Sequence, residues 1–247
     1  MPQSLPAFIG TAGWSLPRKE QSRFPEGPSH LARYARVLRA VEINSTFHRS
    51  HRAATYARWA RSVPESFRFS VKLPRTITHE QRLAGTRKLL EAFLAEIAPL
   101  GPRVGCLLVQ LPPSLELTLR TARSFLAALR EGFDGAIAVE PRHATWFTPE
   151  AGRMLESQRI ARVAADPPRA ANGGEPGGWA GIAYYRLHGS PHVYRSAYDE
   201  AFLGRLAERL RERQRAGIAC WCIFDNTTLG AGTANALALM ERLRRGP

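Results

Sequence analysis

The feature that most limits how this chain can fold is an alternation repeated along its length. Short apolar runs, each long enough for one strand, take turns with stretches whose apolar residues recur at i, i+3, i+4 and i+7. Residues 8–14, 40–47, 67–73, 104–111, 136–143, 159–166, 182–188 and 218–225 read as strands. Between them, Leu31, Tyr34, Ala35 and Leu38 mark one helix face, and Tyr56, Trp59, Ala60 and Val63 mark the next. Leu89, Leu90, Phe93, Leu94 and Ile97 form a third, and Ala122, Phe125, Leu126 and Leu129 a fourth. Helices are also expected from about 149 to 158, around Phe202, Leu206 and Leu210, and around Ala236, Met240 and Leu243. Residues 167–178, rich in proline and glycine, read as a loop. Strands alternating with helices call for a parallel sheet with right-handed crossovers. Eight such units in 247 residues favour a single α/β domain over 1–247, a TIM-type (β/α)8 barrel. An open doubly wound sheet is the alternative, but no G-x-G-x-x-G follows the first strand.

Local signals support several helix starts. Thr148-Pro149-Glu150 reads as an N-cap, a proline at the first helical position and an acid in the first turn. Ser196 and Asp199 resemble a capping box.

Polar residues gather at the C-terminal ends of the strands. The run 136–139 is apolar and passes directly into Glu140, Arg142 and His143, groups costly to bury unpaired. The other ends carry Glu42 and Asn44, Lys72, Gln110, Asp166, Arg186 with His188, and Asp225 with Asn226. In a barrel these ends meet at one mouth, where the active sites of that fold lie. Strand alternation turns Ala138, Glu140 and Arg142 to one face and His143 to the other. Glu140 is the expected acid–base residue, with Glu42 and Asp166 in reserve; a structural ion pair with Arg142 is the competing reading. Lys72, Arg142, Arg186, His188, Asn44, Gln110, Asp225 and Asn226 are expected around the substrate. Gly230 and Gly232, in the loop after the last strand, would place backbone N–H groups near an anion beside Arg186. An ordinary glycine-rich turn would look the same in sequence. No compact ligand motif such as H-E-x-x-H occurs, so neither a metal nor a cofactor is expected.

Formal net charge is +14, which permits nucleic acid or an anionic ligand as partner. The only lysines are Lys19, Lys72 and Lys88, so arginine supplies nearly all of it, and genomic coding bias would have the same effect. Cys106, Cys220 and Cys222 lie in apolar runs with no C-x-x-C pairing, which suits a reducing compartment. No apolar run approaches the roughly 20 residues that span a bilayer. The first six residues lack the features of a signal peptide, so a cytoplasmic location is expected.

Six stretches together resemble the YecE-like proteins, the domain of unknown function 72. They are Ile9-Gly10-Thr11-Ala12-Gly13-Trp14, Val41-Glu42-Ile43-Asn44-Ser45-Thr46-Phe47, Phe67-Arg68-Phe69-Ser70-Val71-Lys72, Gln110-Leu111-Pro112-Pro113, Val139-Glu140-Pro141-Arg142-His143 with Trp146-Phe147, and Arg186-Leu187-His188-Gly189. The resemblance covers nearly the whole chain and implies a TIM-type barrel without implying an activity. Pro141 stands where that family often has phenylalanine, and Phe224-Asp225-Asn226 where Phe-Asn-Asn is frequent. The histidines often found after this point are missing. The expected function is an enzyme acting on an anionic or phosphorylated compound, with phosphoester hydrolysis first. A nucleic-acid-binding or endonuclease-like barrel and a non-catalytic ligand-binding protein are the alternatives.

Overall fold

The computed structural model describes residues 7–245; the segment on which the leader expectation rests lies outside the described residues. In chain order the strands are β1 (Ala7–Thr11), β2 (Ala40–Ile43), β3 (Arg68–Lys72), β4 (Val104–Gln110), β5 (Ala136–Glu140), β6 (Ala161–Arg162), β7 (Ala164–Asp166), β8 (Gly177–Gly178), β9 (Ile182–Leu187) and β10 (Ala219–Phe224). The α-helices are α1 (His30–Ala35), α2 (Ala53–Arg61), α3 (Arg87–Ile97), α4 (Leu119–Gly132), α5 (Pro149–Ser157), α6 (Glu200–Arg215) and α7 (Ala231–Arg245). The fold is α/β. Every ladder is parallel except the two-residue pairing of β6 with β8.

Where one closed ladder was expected, the strands form two sheets. One has the order β1-β10-β9-β7 and the other β2-β3-β4-β5-β6-β8. The strand expected over 159–166 divides at Val163. Its first part, β6, pairs with β5, and its second part, β7, pairs with β9. On the other side, β1 and β2 are joined by a single bridge, Ala12 to Glu42, beside which Gly13 N–H donates to the Glu42 carbonyl at 2.9 Å.

Alternation along the strands divides the core into two layers. Cys106 and Leu108 of β4, Ala138 of β5, Ala161 of β6, Ile182 and Tyr184 of β9, and Trp221 and Ile223 of β10 pack together as an inner cluster. The intervening Leu107, Val109, Ile137, Val139, Ala183, Tyr185, Cys220 and Cys222 pack outward with the helices. Both strand faces are therefore covered, which accounts for the nearly continuous apolar runs. The three cysteines are buried and unpaired.

The helix faces read from spacing are buried or half-buried, except that Leu89, at the edge of the α3 face, is exposed. Ala122, Phe125, Leu126 and Leu129 of α4 are all buried, as are Leu206 and Leu210 of α6. Thr148 caps α5 by accepting from Ala151 N–H at 3.3 Å. The start of α6 differs from the sequence reading. Asp199 alone is the cap, accepting from Phe202 N–H at 2.7 Å, while Ser196 Oγ accepts from His192 N–H instead.

Candidate functional site

The same alternation decides which polar strand ends meet. Continuing the inner face of each strand leads from Ala40 to Glu42, Ser70 to Lys72, Leu108 to Gln110, Ala138 to Glu140, Tyr184 to Arg186 and His188, and Ile223 to Asp225. These side chains are buried together. Arg186, fully buried, is the hub. Its Nε and Nη2 donate to the two oxygens of Glu42 at 2.9 and 2.7 Å, and its Nη1 donates to Glu140 Oε2 at 3.0 Å. Its Nη2 also lies 3.0 Å from Asp225 Oδ2. Arg186 and Asp225 come from the four-stranded sheet and its end, Glu42 and Glu140 from the six-stranded one, so this ion cluster ties the sheets together.

Glu140 has no unused acceptor position. Oε2 accepts from Gln110 Nε2 and Arg186 Nη1, and Oε1 accepts from Arg142 Nη2 and His188 Nε2, at 2.8 to 3.0 Å. Burial alone would raise its pKa, but Arg186, His188 and Arg142 outweigh burial and hold the carboxyl well below its usual range. His188 also places Nδ1 3.0 Å from Asp225 Oδ2. A ring with a carboxylate on each nitrogen must donate from both, so His188 is an imidazolium. Burial opposes that charge, and the contacts with Glu140 and Asp225 raise the pKa despite it. Asp225 is lowered, burial being outweighed by Arg186 and the bond to His188.

Lys72 is different. It is 5% exposed, and among the described residues its ammonium has no ion pair or hydrogen bond. It lies over the Phe47 ring, whose centroid is 4.0 Å from Nζ. Burial, with Arg186 second, outweighs Glu42, Glu140 and Asp225 and lowers its pKa to about 8. Next to it, burial and the charges of Lys72, Arg75 and Arg142 lower His79 to about 4. Arg142 completes this rim, and its buried Nε has no hydrogen-bond partner among the described residues.

Other expected residues lie elsewhere. Asp166 falls on the outward face of β7, where its Oδ1 accepts from Tyr198 Oη at 2.8 Å, and it lines a hollow of about 330 Å3 beside α6 rather than the cluster. Asn226 also faces outward. Its Nδ2 donates to the Ser196 carbonyl at 2.8 Å and to Asn235 Oδ1 at 3.0 Å, stitching the chain after β10 to α7. Gly230, with φ +81°, packs on Pro17, and Gly232 packs against Asn226 and Thr227, as an ordinary turn would. Asn44 follows β2, and its Oδ1 is buried without a partner. Arg186, expected beside an anion, has its guanidinium surrounded by carboxylates instead. His143, on the opposite strand face from Glu140, lies with Nδ1 3.0 Å from Thr145 Oγ1.

Three contributors escaped the sequence reading: Tyr184, Phe47 and His79. Tyr184 shares a 2.8 Å hydrogen bond with Ser70 and donates to Glu42 at 3.4 Å. Parity with Arg186 on β9 would have found it; nothing in the sequence marks His79. Among the described residues no group of three or more His, Cys, Asp or Glu is arranged to hold a metal ion. No helix there is long and apolar enough to cross a membrane. Eight of the arginines lie on two helices, Arg205, Arg209, Arg211, Arg213 and Arg215 on α6 and Arg242, Arg244 and Arg245 on α7.

The family model described as a protein of unknown function, DUF72, matches residues 8–247. The UPF0759 protein YecE of Escherichia coli K12 is 33% identical over 165 residues, a match spanning 64% of this chain and 58% of that protein. The chain thus matches little more than half the length of that relative. Among solved structures, a DUF72 family protein of Enterococcus faecalis superposes with a TM-score of 0.81 at 22% identity, covering 98% of this chain and 97% of the other. A DUF72 family protein of Thermotoga maritima gives 0.77 at 27% identity, covering 96% and 99%.

Proposed function

This chain belongs to the DUF72 family of proteins of unknown function, and from that premise we propose that it is an enzyme acting on a small anionic compound held by Lys72 and Arg142. The observation that carries this reading is an unbalanced cation. The carboxylates Glu42, Glu140 and Asp225 are matched by Arg186, Arg142 and the imidazolium of His188. Among the described residues Lys72 makes no ion pair, because Glu42, Glu140 and Asp225 are engaged by those three cations, and a buried unpaired charge is costly. An anionic ligand would supply the missing charge, and the partnerless Nε of Arg142 is a second donor for it.

The surrounding layout is best read as a closed barrel. β6 and β7 belong to one continuous segment, Ala12 bridges to Glu42, and the ion cluster crosses between the sheets. All the strand ends then open at one mouth, where catalysis in such barrels occurs. In this reading Glu140 is a scaffold residue rather than the acid–base group, because each of its oxygens already accepts two hydrogen bonds. Arg186 is likewise a hub rather than an anion ligand. Phosphoester hydrolysis with a carboxylate as general base finds no free candidate in Glu42, Glu140 or Asp225, all of which are ion-paired.

Calorimetric titration at low salt with inorganic phosphate, sulfate and small phosphate esters tests the reading. Saturable binding is expected, at least tenfold weaker in Lys72→Met and in Arg142→Met, or about 1.4 kcal/mol. Equal affinity in folded samples of both variants would remove it.

A further inference from the structure

We propose that the Lys72 amine is a nucleophile that forms an imine with a small anionic carbonyl compound, an oxo acid or a keto phosphate. The proposal rests on the anion reading above and adds the reacting group. Three observations support it. First, Nζ is buried at the end of β3 and, among the described residues, makes no hydrogen bond or ion pair that would hold its lone pair as an ammonium. Second, permanent cations stand close enough to Lys72 and His79 to perturb both: Arg186 acts on Lys72, and Arg75 and Arg142 act on His79. Arg186 is held by its carboxylates and Arg75 pairs with Glu80, so Arg142 is the arginine partner for a substrate anion when the lysine reacts as a neutral amine.

The third observation is compositional. Of 35 basic residues, removing Lys19, Lys72 and Lys88 leaves 32 arginines. Lysine is therefore rare in this chain, and Lys72 is the one of the three that is buried in the ion cluster. Arginine cannot lose its proton in a protein, whereas a buried lysine can. A lysine kept at the centre of the site is suited to a task that needs a neutral amine. Its pKa of about 8 provides one near neutrality, as in other lysines activated by desolvation and a neighbouring cation.

The step balances without a further reactant. The nitrogen lone pair attacks the carbonyl carbon, and the C=O π pair moves to oxygen. Both N–H hydrogens then leave with that oxygen as water, and a C=N bond remains. Protonated from solvent, the iminium draws electrons from the adjacent C–H or C–C bond. His79, lowered to about 4 by burial first and then by Lys72, is a neutral imidazole at pH 7 in the same rim.

The test is reductive trapping on the whole protein. Glyoxylate, dihydroxyacetone phosphate and the neutral probe acetaldehyde are incubated separately with it in the presence of borohydride. A trapped adduct adds the mass of the probe less one oxygen, and peptide mapping assigns it among three lysines and the amino terminus. The expected result is modification at Lys72 by one or both anionic probes, at least tenfold faster than at Lys19 or Lys88. The rate should rise through about pH 8, the value set for Lys72 by burial, Arg186, Glu42, Glu140 and Asp225. Lys72→Arg, which keeps the charge, should show no adduct at this position while its Tm confirms folding. Glyoxylate alone would identify an oxo acid, and dihydroxyacetone phosphate alone a keto phosphate. If calorimetry shows that dihydroxyacetone phosphate binds but nothing is trapped at Lys72, the imine proposal fails and the anion reading stands. Trapping by acetaldehyde without preference for the anionic probes would keep the nucleophile and remove the anion site. Adducts spread equally over Lys19, Lys72 and Lys88, or none from any probe, would overturn the proposal.

Discussion

The inner faces of the strands finish differently at their two ends. At the N-terminal end Trp221 stacks on Phe8 with ring centroids 4.7 Å apart and on Tyr184 at 5.9 Å, among Ile182, Cys106 and Ala138. At the C-terminal end the same faces carry Glu42, Glu140, Asp225, Arg186, His188 and Lys72. Both ends are buried, and both join the two sheets. The apolar end does so by area and shape, which tolerate small adjustments. The ionic end does so by matched charge, and losing one partner leaves a buried charge without its counterpart. The difference shows where function has room. An aromatic plug has no group left for a ligand, whereas an ion cluster with one unmatched cation has.

The largest expected effect comes from removing the hub. Arg186→Met leaves Glu42 without an ion pair and takes one partner each from Glu140 and Asp225, and should lose about 5 kcal/mol, the upper end for breaking a buried pair, in urea denaturation. A loss under about 1 kcal/mol would mean that the ionic end does not join the sheets. At the opposite end, Trp221→Ala should cost about 3–5 kcal/mol through lost burial and a cavity, by the same measurement. That cost should not vary with pH, because no titrating partner is removed; a strong pH dependence would break the contrast.

Next comes Glu140→Gln, which keeps the shape and removes the charge. It should cost about 3 kcal/mol, seen as a large fall in Tm. A variant as stable as the parent would return Glu140 to the acid–base role first expected of it. The acid limb of stability should flatten in this variant as well. Glu140 and Asp225 have folded pKa values below their unfolded ones, so their contribution is present above about pH 4.5 and lost as pH falls through the folded values. His188 is raised, so its contribution is full below about pH 6.5 and fades as pH rises through its folded value. The ionic end should therefore stabilise most between about pH 4.5 and 6.5. A parent Tm that is flat from acid to neutral pH would contradict this.

The smallest effect has the opposite sign. The folded pKa of Lys72 lies below the unfolded one, so its protonated form destabilises the fold below about pH 8. Lys72→Met should gain about 1–3 kcal/mol at pH 7, and the gain should vanish above about pH 10.5. A loss of stability instead would show that Lys72 has a structural partner.

Much of this was legible beforehand, and the misses have specific causes. Parity along β5 placed Glu140 and Arg142 on one face, where they are found paired at 3.0 Å. The same count along 159–166 turns Asp166 away from Ala161 and Val163, and along β10 it turns Asn226 away from Asp225. Those two were grouped with the site because they end strands, and position along a strand says nothing about face. The division at Val163 carried no signal, since an apolar run reads the same whichever neighbour it pairs with.

By itself the sequence determined the alternation of strands and helices, the covered sheet faces, and a polar end for nearly every strand. All of these are local periodicities, set by backbone geometry within a few residues. Only the tertiary structure decided which charges meet. Glu42 and Arg186 are 144 residues apart along the chain and 2.7 Å apart in space. Only the fold left Lys72 without an ion pair among the described residues. An ion pair depends on distances across strands, and those follow from sheet order and twist, which local periodicity does not encode.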